Sequence, residues 1–214
     1  VHVVDAAQAE AFAGSLPPLA RRLTAAFWPG PLTVIVARRA GMAAGAAGGQ
    51  GTIGLRCPAH PVAQALLHEA ARLGVPGVAA PSANRYGRIS PTRAAHVGSE
   101  FTGLLPELLV LDGGDCPVGI ESAIVDCSRG RPVLLRPGTL TRAQLEAAAG
   151  EALRAVDAAA PRAPGTLASH YAPRATLRLM PGAALRTALE VLPLEALPAG
   201  GRPRLAVYSR SVVP

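Results

Sequence analysis

The sequence predicts an α/β protein: a twisted mixed sheet with flanking helices, then a linker, then the opening of a second α/β unit. Three observations carry this expectation. Segments with helical and strand-like patterns alternate from the first residues onward, which is the signature of layered α/β architecture. Some strand-like pairs are joined by tight turns while others are separated by helices, so the sheet should contain both antiparallel and parallel neighbours. An Ala- and Pro-rich stretch, residues 158–173, then breaks the pattern before a new β-α-β run begins. The expected organisation is residues 1–149 as the first domain, 150–173 as the linker and 174–214 as the start of the second.

The elements follow in chain order. Val1-His2-Val3-Val4 reads as a strand. Asp5 with Gln8 resembles a capping box that opens a helix to about residue 13. Residues 18–27 form a second helix, stopped by Trp28-Pro29-Gly30-Pro31. A strand over 32–37, a small-residue loop over 41–51 and a strand over 52–56 come next, followed by a helix from about 60 to 73. Residues 75–80 read as a short strand entering a polar loop at 81–91. Further strands are expected at 108–111, 122–127 and 132–135, the last two joined by Ser128-Arg129-Gly130-Arg131. Thr141 caps a helix to about 149. Beyond the linker, 175–180 and 204–208 read as strands around a helix at 183–192.

Composition narrows the class. Half of the 214 residues are hydrophobic but only 3% are aromatic, so the core is aliphatic. The 23 glycines and 21 prolines stay below the roughly 25–30% at which disorder takes over. All 21 basic residues are arginine, and the net charge of +7 invites a polyanion, a membrane surface or a phosphate-bearing substrate. The arginines are dispersed, however, and genomic base composition accounts for them equally well. Cys57, Cys116 and Cys127 contain no C-x-x-C pair and are odd in number, which points to the cytoplasm. No apolar run reaches the ~20 residues of a membrane span, and no signal-peptide pattern opens the chain, so no membrane partner is expected. The sequence opens within a strand-like run and stops just after another, at 205–208, and it is expected to be a piece of a longer chain.

Several chemistries are absent. A P-loop needs a lysine, and there is none; no G-x-G-x-x-G follows a strand, no His/Cys set has zinc spacing, and no G-x-S-x-G elbow occurs. What remains is a group of polar segments at strand ends, where α/β sheets bind ligands: Thr52 to Arg56, Ser82-Ala83-Asn84, Glu121-Ser122 and Arg136-Pro137-Gly138. Two arginines from separate strands suit an anionic ligand, because the guanidinium fork bonds carboxylate or phosphate in bidentate fashion. Ser82, Ser90 and Ser122 can donate to phosphate oxygens without adding charge. No nucleophile or tuned general base stands out. The pattern favours positioning and charge neutralisation, as in nucleotidyl or phosphoryl transfer. Singly, each feature has a plainer reading: Ser82-Ala83-Asn84 as an Asx-type turn, Arg56 and Arg136 as surface arginines, His170-Tyr171 as a core or linker pair. His60, His68 and His96 sit in presumed helices without a metal partner. Asp112 and Glu121 are lone carboxylates, structural or metal-binding.

Order and spacing bring these features together. Trp28-Pro29-Gly30-Pro31-Leu32-Thr33, the run from Thr52 through Arg56-Cys57-Pro58 to Pro61, and Ala80-Pro81-Ser82-Ala83-Asn84 resemble the YrdC-like domain of threonylcarbamoyl-AMP synthases. So do Arg88-Ile89-Ser90-Pro91-Thr92, Glu121-Ser122-Ala123-Ile124-Val125-Asp126 and Leu135-Arg136-Pro137-Gly138. The likeness runs collinearly over about residues 1–145. Residues 163–173, with Ser169-His170-Tyr171, resemble the linker of the long two-domain form, whose second domain is Rossmann-like.

The resemblance implies that L-threonine, bicarbonate and ATP are converted to threonylcarbamoyl-adenylate and diphosphate. The product would pass to the transfer-RNA threonylcarbamoyl transferase machinery. It implies that Arg56 holds the threonine carboxylate, with Ala80 and Ser122 lining the amino-acid pocket. Thr52, Ser82, Ser90 and Arg136 would contact ATP, Asn84 would shape the Ser82 loop, and His170 and Tyr171 would close over the nucleotide from the linker. Mg2+ is expected with ATP. One departure matters: the family's K-x-R motif lies upstream of Val1 and a lysine-free chain cannot supply it, so little synthase activity is expected of this stretch alone. Two other readings stand beside this one, a non-catalytic module binding transfer RNA or double-stranded RNA, and a related carbamoyl-transfer enzyme.

Overall fold

The computed structural model describes residues 1–164, 177–191 and 206–210. The chain divides into two units, Val1–Ala172 and Pro173–Pro214. Among the described residues of the first unit, four strands hydrogen-bond in the order β2-β1-β3-β4: β1 (Leu32–Ala37), β2 (Thr52–Arg56), β3 (Ala123–Asp126) and β4 (Val133–Arg136). β1 runs antiparallel to β2 and parallel to β3, and β3 runs antiparallel to β4. The sheet is mixed, as the alternating connections predict.

Side chains alternate across each strand, and this sorts the sheet into two faces. On one face Leu32, Val34 and Val36 of β1, Ile53 and Leu55 of β2, and Ala123 and Val125 of β3 are buried in one cluster. Three helices supply the other half of that core: α1 (Ala6–Ala13) through Ala9 and Phe12, α2 (Pro18–Phe27) through Leu19, Ala20 and Leu23, and α5 (Arg142–Ala149) through Leu145 and Ala149. Leu23 is fully buried, which contributes about 2 kcal/mol over leaving it in water. The opposite face carries Thr33, Ser122 and Arg56 alongside a smaller apolar cluster of Ile35, Ile124, Val133, Leu135 and Ala163.

The helix ends follow their sequence signals. α2 starts with proline in its first turn, where the missing N–H has no intrahelical partner to lose, and ends as Trp28 N donates to Thr24 O. α5 has a complete capping box, Thr141 Oγ1 accepting from Gln144 N and Thr141 N donating to Gln144 Oε1 at 2.9 Å, and stops at Gly150 with φ +73°. The box at α1 is half formed. Asp5 Oδ1 accepts from Gln8 N at 2.8 Å, but the buried Gln8 Oε1 has no partner among the described residues.

Other expectations change. Residues 1–4 and 75–80 contribute single bridges rather than strands, His2 pairing with Arg56 on one side and Val78 on the other. Pro76 has no N–H for a ladder, and Gly77 packs so closely that an added Cβ would lie 2.8 Å from both the His2 carbonyl and the Phe12 ring. Residues 108–111 form no strand; Leu109 is 88% exposed. β3 and β4 differ by a residue or two from the expected 122–127 and 132–135. α3 (Pro61–Arg72) matches its expected helix, and α4 (Ala94–Phe101) holds His96. In the second unit α6 (Gly182–Val191) is the helix expected at 183–192, whereas 177–180 and 206–208 are not strands; the remainder of those two expected strands lies outside the described residues. No helix among the described residues is long and apolar enough to cross a membrane. All three cysteines are free, and burial pushes the Cys127 thiol up to about 12.

Candidate functional site

Register aligns the site. Arg56 on β2 pairs with Thr33 on β1, Thr33 pairs with Ile124 on β3, and Ile124 pairs with Arg136 on β4. The two arginines therefore stand at opposite ends of one row across the sheet, about 14 Å apart along the backbone at ~4.8 Å per strand. Between them lies a hydroxyl pair, Thr33 Oγ1 and Ser122 Oγ, 3.1 Å apart. Ser122 is buried at the entrance to β3.

The two guanidinium groups are held very differently. All five N–H groups of Arg136 have acceptors: Nε and Nη2 donate to Ser122 O at 3.1 and 2.9 Å, Nη2 also to Ser122 Oγ at 3.3 Å, and Nη1 to a Glu121 carboxylate oxygen and to Pro164 O. Arg56 donates from Nε to Gly30 O at 3.3 Å, and its terminal nitrogens have no hydrogen-bond partner among the described residues. Burial, and then the Arg136 charge, lower the Arg56 guanidinium below the ordinary arginine range, with Glu121 pulling the other way. Arg56 remains a cation, and an anion beside it would relieve that strain on its charge.

Backbone packing fixes this arrangement. The Gly30 carbonyl that meets Arg56 belongs to the Trp28–Pro31 loop, which is tied back by Gly30 N to Cys57 O and by Trp28 Nε1 to Leu32 O, both 2.8 Å. Gly138 lies so close to the strand entrance that an added Cβ would sit 2.3 Å from Ala123 N and 2.8 Å from Glu121 O. Only glycine lets Arg136-Pro137-Gly138 lie against Glu121-Ser122 in this way.

The loop at 81–91 reaches the same place through Ser90. Its hydroxyl is 2.8 Å from Glu121 Oε1 and 3.4 Å from Asn84 Oδ1. Asn84 organises the loop, as Nδ2 donates to the Arg85 and Arg88 carbonyls at 3.0 Å and its N–H to Ser82 O. These bonds are not those of an Asx turn, in which the side-chain oxygen would accept from the backbone two residues on; here the side-chain amide donates to carbonyls and Oδ1 meets Ser90 Oγ. Ala80 and Ser82 are exposed on this loop. Thr52 is not brought into the cluster: it pairs with Ala37 at the far end of β2, ~13 Å along the strand from Arg56, though on the same face. His170 and Tyr171 lie outside the described residues. Sequence reasoning missed Thr33, whose position inside the Trp28–Thr33 motif was the available signal, and left Glu121 unassigned.

The cluster presents cations and hydroxyl donors around a single bonded carboxylate, Glu121, and no group of three His, Cys, Asp or Glu among the described residues could hold a metal by itself. Such a surface has the chemistry that suits an anionic ligand.

Comparison with known proteins agrees in extent and kind. The Sua5/YciO/YrdC family model, described as "Telomere recombination", matches residues 1–138, and a model described as "Threonylcarbamoyl-AMP synthase, C-terminal domain" matches residues 140–209. The chain is 39% identical over 189 residues to a threonylcarbamoyl-AMP synthase of Bacillus subtilis, covering 85% of this chain and 52% of that protein. A Pyrococcus abyssi threonylcarbamoyl-AMP synthase is 36% identical over 85% of this chain and 53% of its own length. The chain thus spans about half the length of these curated relatives. The crystal structure of P. abyssi Sua5 complexed with L-threonine superposes with a TM-score of 0.72 at 37% identity, covering 81% of this chain and 51% of that one. Escherichia coli YciO, at 21% identity, TM-score 0.53 and 66% coverage of each chain, shares the fold. With family models matching most of its length and these relatives beside it, the chain belongs to the threonylcarbamoyl-AMP synthase family, with the Sua5/YciO/YrdC fold.

Proposed function

We propose that this chain carries substrate-binding parts of an L-threonylcarbamoyladenylate synthase, using L-threonine, bicarbonate and ATP in the cytoplasm. The observation that carries the reading is the row Arg56–Thr33–Ile124–Arg136, which sets two cations on one sheet face with hydroxyls between them. Two anionic substrates that must meet need two such anchors. Arg56, whose terminal nitrogens have no hydrogen-bond partner among the described residues, takes the threonine carboxylate in bidentate fashion. Ser122 and Thr33 receive the remaining polar atoms of threonine, near Ala80. Arg136 engages the nucleotide by exchanging the Pro164 carbonyl, the exposed one of its five contacts, for a phosphate oxygen. Ser82 and Ser90 donate from the loop that Asn84 shapes, Thr52 contributes from the far end of β2, and His170 and Tyr171 complete the expected nucleotide contacts.

The chemistry then needs little beyond placement. The threonine nitrogen and bicarbonate combine to a carbamate with loss of water. A carbamate oxygen attacks the α-phosphorus of ATP, the bond to the bridging oxygen breaks, and diphosphate leaves. Arg136 stabilises charge that builds on the phosphates, and Arg56 holds the nucleophile's carboxylate away from them. Mg2+ bound with the triphosphate would supply further charge neutralisation at the phosphates. The adenylate is a mixed anhydride, fit for transfer to the transfer-RNA machinery. Diphosphate release by the full-length enzyme that depends on all three substrates, and is lost in Arg56→Ala, tests the reading. Release that ignores threonine or bicarbonate would overturn it.

A further inference from the structure

Resting on that reading, we propose that Glu121 is the positioning residue of the nucleotide site, the group that holds Ser90 and Arg136 in register with one another. These two donors come from unrelated parts of the chain, a largely exposed loop and the end of β4. Glu121 stands between them, one carboxylate oxygen accepting from Ser90 Oγ at 2.8 Å and the other from Arg136 Nη1. Both bonds are partly buried. Ser90 in turn meets Asn84, so the carboxylate ties the Ser82–Ser90 loop to the segment that enters β3, while Arg85 and Arg88 of the loop pair with Glu100 of α4.

The base of this clamp is rigid. Glu121 directly precedes Ser122, whose carbonyl and hydroxyl fix Nε and Nη2 of Arg136, and Gly138 packs against the Glu121 carbonyl. The residue type is dictated by the geometry. Two donors converging from opposite sides need an acceptor-only group with two oxygens, which an ionised carboxylate supplies and an amide does not. A carboxylate also offsets the repulsion between Arg56 and Arg136, which the lowered Arg56 guanidinium registers. A simple ion pair would need neither the serine nor the second oxygen.

The test is calorimetric titration of Mg-ATP, and separately of L-threonine, into the full chain and its Glu121→Ala, Glu121→Gln and Ser90→Ala variants. Glu121→Ala should weaken ATP by about tenfold or more and threonine by less than about threefold, as expected for loss of a charge-assisted bond serving one ligand. Glu121→Gln should fall between, since an amide oxygen can satisfy one donor only. The Ser90→Ala/Glu121→Ala double variant should lose less than the product of the single losses. Equal loss of both ligands with a matching fall in melting temperature would make Glu121 a structural residue and overturn the proposal. Tighter ATP binding in either Glu121 variant would also overturn it, because the carboxylate would then compete with phosphate. Failure of the unmodified chain to bind ATP strikes the proposed function itself, a result distinct from both.

Discussion

The two faces of the four-stranded sheet are built from the same strands by different rules. On one face, Leu32, Val34, Val36, Ile53, Leu55 and Val125 meet α1, α2 and α5 in a continuous aliphatic core. On the other, a small apolar cluster sits beside the Arg56, Thr33, Ser122 and Arg136 row, where side chains are arranged for hydrogen bonding instead of packing density. The first face holds the fold, and the second spends some of that stability to keep two cations close on one surface. Substitutions should therefore separate stability from ligand binding according to face.

Leu23→Ala should break the comparison most strongly on the stability side. The side chain is fully buried beneath the sheet, and its removal should cost about 3 kcal/mol by urea denaturation while leaving ATP affinity unchanged. Gly138→Ala should cost about 2 kcal/mol, since its Cβ would lie 2.3 Å from Ala123 N and must push the segments apart. Unlike Leu23→Ala, it should also weaken ATP, because Arg136 moves away from Glu121 and Ser122. A variant that is destabilised with intact binding would show that the close approach at Gly138 serves folding alone.

Thr141→Ala removes the α5 capping box and should cost about 1 kcal/mol, with no effect on either ligand. A pH dependence is also expected at His2, which bridges Arg56 and Val78. Burial, then the Arg56 charge, lower its imidazole from 6.5 to about 4. The folded state thus binds its proton less readily than the unfolded chain. Its stability contribution is present above pH 6.5 and is lost as pH falls from 6.5 through about 4. A stability profile in that window should flatten in His2→Gln.

Much of the packed face was legible in the sequence because each of its signals is local. The strand-like runs at 32–37 and 52–56 match β1 and β2 to the residue, and Trp28-Pro29-Gly30-Pro31 ends α2 where expected. Local signals also misled. Leu108-Leu109-Val110-Leu111 has strand composition, yet a strand needs a neighbour, and no partner among the described residues pairs with it. The polar face was legible only as residue types at strand ends. Ser90, Ser122, Asn84 and Arg136 do converge, but apart from the Ser90–Asn84 bond the links span 14 residues for Arg136–Ser122 and 31 for Ser90–Glu121, and the Thr33–Ser122 contact spans 89. Spacing along the chain carries no information about such register, which is why Glu121 looked like a lone carboxylate and why Thr52 was grouped with Arg56 although β2 holds them at opposite ends.

The central claim is that the two arginines of one sheet row serve two different anions. Titrating ATP and L-threonine separately into Arg56→Ala and Arg136→Ala tests it most directly. A crossed result is expected, Arg56→Ala weakening threonine about tenfold or more with ATP little changed, and Arg136→Ala doing the reverse. Equal losses of both ligands in each variant, or no loss in either, would contradict it.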